Sequence, residues 1–250
     1  MRSFLRQWVK RTVPSRILAP IIAERWRSHL WKVAESNGMH DLCRGLISQH
    51  GDRVQSGPFA GLRFPPECLL ACCNSPGLLG TYEMELHPCL ERIDSGIYEK
   101  GLDIGCADGY YAVGIAMRAG IYVDAFDPAL SARRLCRSMA KLNGVSSLVH
   151  IHSWCSSHLL SKLAGRRCFV VSDCEGFEAS LFSEAAIEGL RNSDVIIELH
   201  DGQAKPGTMR QLLEPRFSRS HSVQFVAFRP RTITDFPYRG LLNLLGEDAV

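Results

Sequence analysis

The residues in this chain best placed to do chemistry are a glycine turn and the acids that follow it. The stretch Glu99–Gly109, E-K-G-L-D-I-G-C-A-D-G, carries an acid inside an apolar run, Asp103, and two glycines, Gly105 and Gly109, where a strand would turn into a helix. Glycine at such a turn lets backbone N–H groups approach a ligand closely, because no side chain stands in the way. Asp127, followed by Pro128, comes after Gly105 at about the spacing at which an acid beyond a second strand hydrogen-bonds ribose hydroxyls. That pattern is compatible with NAD, with S-adenosylmethionine and with other adenosine ligands. The turn separates them: a dinucleotide fingerprint wants glycine at positions 107 and 110, and the chain has Ala107 and Tyr110 there.

Positioning these residues requires strands that end together. Apolar, strand-like runs occur at Gly101–Cys106, Tyr122–Phe126, Leu148–Ile151, Cys168–Ser172, Val195–Leu199 and Val223–Phe228. Helical stretches separate most of them, at Tyr110–Ala119, Leu130–Leu142, Phe177–Leu190 and Met209–Phe217. Gly120 and the pair Asn143-Gly144 are sensible stops, since both residue types tolerate the left-handed backbone. Such alternation implies right-handed crossovers and a mostly parallel sheet, with its ligand at the carboxyl ends of the strands. Asp127, Asp173 and the run from Glu198 to Asp201 all fall at those ends. Ser153 and Trp154, just past the third strand, either flank an adenine ring or belong to the core.

The segments around this turn resemble a known family. L-D-I-G-C-A-D-G-Y-Y is similar to motif I of the class I S-adenosylmethionine-dependent methyltransferases, and Phe126-Asp127-Pro128 to the acidic end of their second strand. Asp173-Cys174-Glu175-Gly176-Phe177-Glu178 resembles the D-x-E-G-x-E segment of FkbM-type methyltransferases, and Glu198-Leu199-His200 the E-x-H that follows it. The resemblance covers roughly residues 101–200. It implies a Rossmann-like fold: a mostly parallel seven-stranded sheet with helices on both faces, plus an N-terminal helical extension. It also implies S-adenosyl-L-methionine as cofactor, with Asp127 and Pro128 at the ribose. The turn through Gly105, Ala107, Gly109 and Tyr110 would lie against the methionine part, and Asp103 would orient that turn.

The domains expected are a helical extension or cap over residues 1–50, a hairpin and helix lead-in over 51–98, and the cofactor-binding domain over 99–250. A hydrophobic content of 46% with 22% charged residues is that of a globular protein, and a net charge of +3 lacks the basic excess of a nucleic-acid binder. The charge is uneven, with Arg2, Arg6, Lys10, Arg11, Arg16, Arg25, Arg27 and Lys32 against Glu24 and Glu35 at the front. A helix there either packs on the main domain or offers a basic face to a membrane or an anionic surface. Ten scattered cysteines without a C-x-x-C pair read as thiols, and no apolar run is long enough to span a membrane, so a cytoplasmic protein is expected.

Methyl transfer to a hydroxyl needs an acceptor held in line and a base for its proton, and Asp173 and His200 are the candidates. The acceptor class expected is a small molecule, sugar or natural product. Asp173, Glu198, His200 and Asp201 also carry donor atoms for an oxygen-rich magnesium site, but nothing in their spacing fixes it and no metal is expected. Two other readings stay open: a binding module that keeps the fold without turnover, and a nicotinamide-dependent oxidoreductase.

Overall fold

The computed structural model describes residues 15–36, 39–72, 75–94, 96–201, 207–229 and 235. Five parallel strands form one sheet in the order β3-β2-β1-β4-β5: β1 (Lys100–Ile104), β2 (Tyr122–Phe126), β3 (Val149–His152), β4 (Cys168–Ser172) and β5 (Asp194–Ile197). Ahead of the sheet come α1 (Ser15–Ser36), α2 (Met39–His50), α3 (Pro66–Cys72), α4 (Ser75–Leu79) and α5 (His87–Leu90). Between and after the strands lie α6 (Tyr110–Ala119), α7 (Leu130–Leu142), α8 (Ser157–Ser161), α9 (Glu178–Leu181), α10 (Glu184–Gly189) and α11 (Thr208–Phe217). The strand order reverses direction between β1 and β4, so the crevice beyond their carboxyl ends is where this architecture places a ligand.

Period-two alternation sorts the strand residues onto two cores. Leu102 and Ile104 of β1, with Cys168 and Val170 of β4, face one cluster together with Phe126, Leu160 and Phe182. Phe169 and Val171 of β4, with Val123 and Ala125 of β2, face the other. That second cluster also contains Phe59, Leu62, Phe64, Leu90 and Ile93, so residues 51–98 share a core with the sheet. The expected hairpin there is reduced to a single antiparallel bridge between Arg53 and Arg63.

Two expectations are corrected. The sheet has five strands among the described residues, not seven, and the run Val223–Phe228 is not a strand. Its apolar side chains are largely exposed, Phe228 at 79%, and the segment is tied by side chains instead of a ladder. The Arg210 guanidinium lies over the Phe225 ring at 3.6 Å, and Arg229 donates its backbone N–H to Glu85 at 2.8 Å. The helix expected over Phe177–Leu190 is split into α9 and α10, because the Ser183 hydroxyl accepts from the Ala186 N–H and starts a new helix.

At the front of the chain, α1 carries Pro20 inside it and continues to Ser36. Of the basic residues at the front on which the membrane-facing reading rested, Arg2, Arg6, Lys10 and Arg11 lie outside the described residues. No described helix is long and apolar enough to cross a membrane.

Candidate functional site

The site is built on the turn between β1 and α6. Gly105 has φ +92° and a Cβ there would stand 1.7 Å from the backbone oxygen of Asp173, so only glycine lets the ends of β1 and β4 come together. Its N–H and that of Cys106 both donate to the Phe126 carbonyl, which ties the turn to the end of β2. Ala107 follows at φ +46°, an uncommon conformation for a residue with a side chain.

Three acids occupy the N–H groups of this turn. Ala107 N–H donates to Asp127 Oδ2 at 3.1 Å, Tyr110 N–H to Asp108 Oδ1 at 3.3 Å, and Ala112 N–H to Asp103 Oδ2 at 2.8 Å. Gly109, the residue before α6, has no side chain with which to cap the helix, so strand residue Asp103 does it from below. Asp103 is 2% exposed, and burial pushes its carboxyl up to about 8. Asp127 is also buried; its Oδ1 accepts from Ala129 N–H at 2.7 Å, and burial raises its pKa as well.

A crevice of about 1730 Å³ opens beyond these strand ends. Asp103, Gly105, Ala107, Tyr110, Asp127, Pro128, Ser153, Trp154 and Asp173 all line it. Gly109 does not; a Cβ there would meet Cys136 Sγ at 2.7 Å, so its smallness serves the packing of α6 on α7. Trp154 is half-buried with its ring edge-on to Phe177 at 5.0 Å. The Tyr110 ring points into the aromatic core, 5.3 Å from Phe59 and 5.5 Å from Tyr82.

Beside the crevice, but not among the residues that line it, stands His200, half-buried after β5. Its Nδ1 donates to Glu178 Oε1 at 3.0 Å, and Nε2 lies 3.7 Å from Asp173, 3.7 Å from Glu175 and 3.5 Å from Glu198. The bond to Glu178, helped by the surrounding carboxylates, raises His200 to about 9. Burial, reinforced by the charge of Glu198, pushes Asp173 up to about 7. Asp201 turns away from this group and caps α11 through the N–H groups of Gly207 and Met209.

Sequence reasoning gave no role to Glu83 or Tyr111. Glu83 has φ +44° and accepts a hydrogen bond from the Tyr111 hydroxyl, and both line the crevice. Among the described residues, the three non-glycine residues with positive φ, Glu83, Ala107 and Glu175, all line it, which is where strained backbone tends to gather. Ala19, Ile22, Ala23 and Arg27 of α1 form part of the wall. The sequence left open whether this helix packs on the main domain or offers a basic face, and did not point to this wall.

No family model matches the chain, and no curated protein matches it. Solved structures to which it is similar include a SAM-dependent methyltransferase from Thiobacillus denitrificans in complex with S-adenosyl-L-homocysteine, 18% identical over 61% of this chain and 53% of that one, with a TM-score of 0.34. A SAM-dependent methyltransferase from Geobacter sulfurreducens, also in complex with S-adenosyl-L-homocysteine, is 19% identical over 61% of this chain and 53% of that one, TM-score 0.34. An O-methyltransferase family protein from Burkholderia thailandensis is 13% identical over 56% and 41%, TM-score 0.31. The chain spans about half the length of these structures or less.

Proposed function

We propose that the chain is an S-adenosylmethionine-dependent methyltransferase of the FkbM type, acting on a hydroxyl oxygen of a small molecule or sugar. The observation that carries this reading is the occupation of the turn by carboxylates. A dinucleotide presents its pyrophosphate to free N–H groups at such a turn. Here Asp103, Asp108 and Asp127 take the N–H groups of Ala112, Tyr110 and Ala107, so those donors are already occupied. A phosphate loses the donors it would need there, whereas a sulfonium needs none.

The remaining residues fit the rest of that cofactor. Each Asp127 oxygen, though it accepts one backbone hydrogen bond, keeps a second lone pair for a ribose hydroxyl. Trp154 and Phe177 offer apolar surface for a purine, and Pro128 and Ser153 stand beside them on the wall. When bound, the cofactor supplies an already activated methyl electrophile. The protein's share is then to align an acceptor, exclude water and take a proton. Asp173 and His200, 3.7 Å apart, are the pair we assign to that last role.

The test is calorimetric titration of the purified protein with S-adenosylhomocysteine and, in parallel, with NAD. Binding of the former alone is expected, weakened by about 1.5–3 kcal/mol in Asp127→Ala, the worth of a hydrogen bond to a charged group. Binding of NAD, or unchanged affinity in the variant, rejects the reading of the turn.

A further inference from the structure

We infer that Asp173, Glu175 and His200 hold a divalent cation of the Mn²⁺ class at the acceptor end of the crevice, against the sequence expectation of no metal. One ligand atom from each of the three lies within 4.8 Å of the other two. They come from the end of β4 and the end of β5, so the convergence is made by the fold and has no local sequence signature. A fourth donor, Glu198, stands 3.5 Å from His200 Nε2.

The histidine is arranged as a metal ligand is. Glu178 is wholly buried and accepts from Nδ1–H, which fixes the ring and turns Nε2 toward the carboxylates. A carboxylate behind a ligating histidine is the usual outer partner of such a ligand. Two oxygens in the group lack a hydrogen-bond partner. Glu178 Oε2 is buried without a hydrogen bond, and so is Asp173 Oδ1, the oxygen that faces His200 Nε2. Among the described residues no lysine or arginine forms an ion pair with Asp173, Glu175, Glu178 or Glu198. Four carboxylates around one imidazole are short of positive charge, and a divalent cation replacing the proton on Nε2 supplies it.

An imidazole nitrogen in a mostly oxygen donor set suits Mn²⁺ better than Mg²⁺ or Ca²⁺, which favour oxygen alone. Three protein ligands leave coordination positions open for water and for an acceptor oxygen. The inference takes its role from the methyl-transfer reading, in which the cation, when bound, would hold and acidify the acceptor hydroxyl in place of direct proton transfer to Asp173 and His200, but the binding itself does not depend on that reading.

The experiment follows the electron paramagnetic resonance signal of free Mn²⁺ as the intact chain is titrated in, with S-adenosylhomocysteine binding measured on the same sample. Saturable loss of the signal is expected at sub-millimolar Mn²⁺. Glu175→Gln, at an exposed position that tolerates substitution, should weaken binding at least tenfold. Glu178→Gln should weaken it by about 10–100-fold, the usual effect of losing an outer partner. If the wild-type signal persists to millimolar Mn²⁺, or binding is equal in wild type and Glu175→Gln, the cation site is wrong. In the wild type, absence of Mn²⁺ binding with S-adenosylhomocysteine bound rejects the cation alone, and the converse rejects the cofactor reading alone.

Discussion

At the scale of single residues, the site is a set of carboxylates whose environments differ. Asp103 is the extreme case: it lies in a strand, 2% exposed, with one hydrogen bond from Ala112 N–H. Burial raises its pKa from 3.8 to about 8, so the folded chain keeps a proton that the unfolded chain releases. The sign follows from linkage. Below about pH 4 both states are protonated and Asp103 costs nothing; as the pH rises toward 8 the unfolded state ionises first and the wild type loses stability. Asp103→Asn keeps an oxygen for Ala112 N–H and cannot ionise. Its stability relative to wild type should therefore rise between about pH 5 and pH 8 by at least about 1.4 kcal/mol, one pKa unit's worth. Urea melts of both proteins at the two pH values measure this, and a constant difference would mean that Asp103 is ionised in the native state. Asp103, Gly105 and Asp127 were legible in the sequence because each stands at a fixed place relative to a strand end. Glu178 was not given a role, since an acid in a four-residue helix looks like a surface group until His200, twenty-two residues later, is found against it.

At the scale of elements, the turn is positioned by close packing as much as by hydrogen bonds. Gly114, in the middle of α6, faces Phe59, where a Cβ would lie 2.5 Å from the ring. Phe59 is 4% exposed and has Tyr110 and Tyr111 against it, so the ring has little room to move. An exposed Gly→Ala change in a helix would gain about 1 kcal/mol of helix propensity. Here overpacking, which costs about 1–3 kcal/mol, should win and leave Gly114→Ala less stable than wild type by up to about 2 kcal/mol. Adding Phe59→Leu should recover part of that loss, giving a favourable coupling in a double-mutant cycle read by denaturant unfolding. Additive effects would show that the two residues do not compete for the same space. Strand and helix positions were readable here from apolar runs and their stops, except where a side chain intervened. Ser183 divides a continuous helical pattern in two, and Arg210 and Glu85 hold a β-like run outside the sheet.

At the scale of the whole molecule, the crevice is closed by a helix that the sheet's own topology does not supply. Helix α1 lies more than sixty residues before β1, yet Ala19, Ile22, Ala23 and Arg27 line the same space as Asp127. No periodicity in the sequence could reveal this, because an amphipathic face specifies that it is covered and not by what. One contact joins the helix to the domain at a defined point. Glu24 accepts from Ser131 N–H at 2.9 Å and from its hydroxyl at 2.6 Å, capping α7 where Ala129 provides no side-chain cap. That bond lowers the Glu24 pKa despite the opposing effect of partial burial. Because α7 follows directly on Asp127, loss of the cap loosens both the helix over the crevice and the loop that holds Asp127. Glu24→Ala should cost about 0.5–2 kcal/mol of stability, the range for a lost cap. If α1 closes over the ligand, part of the same energy should be lost from binding, as roughly 3–10-fold weaker affinity for S-adenosylhomocysteine carried mainly by faster dissociation. Stopped-flow release alongside thermal melting separates the two effects. A destabilised variant with an unchanged dissociation rate would make α1 a structural brace that takes no part in holding the ligand.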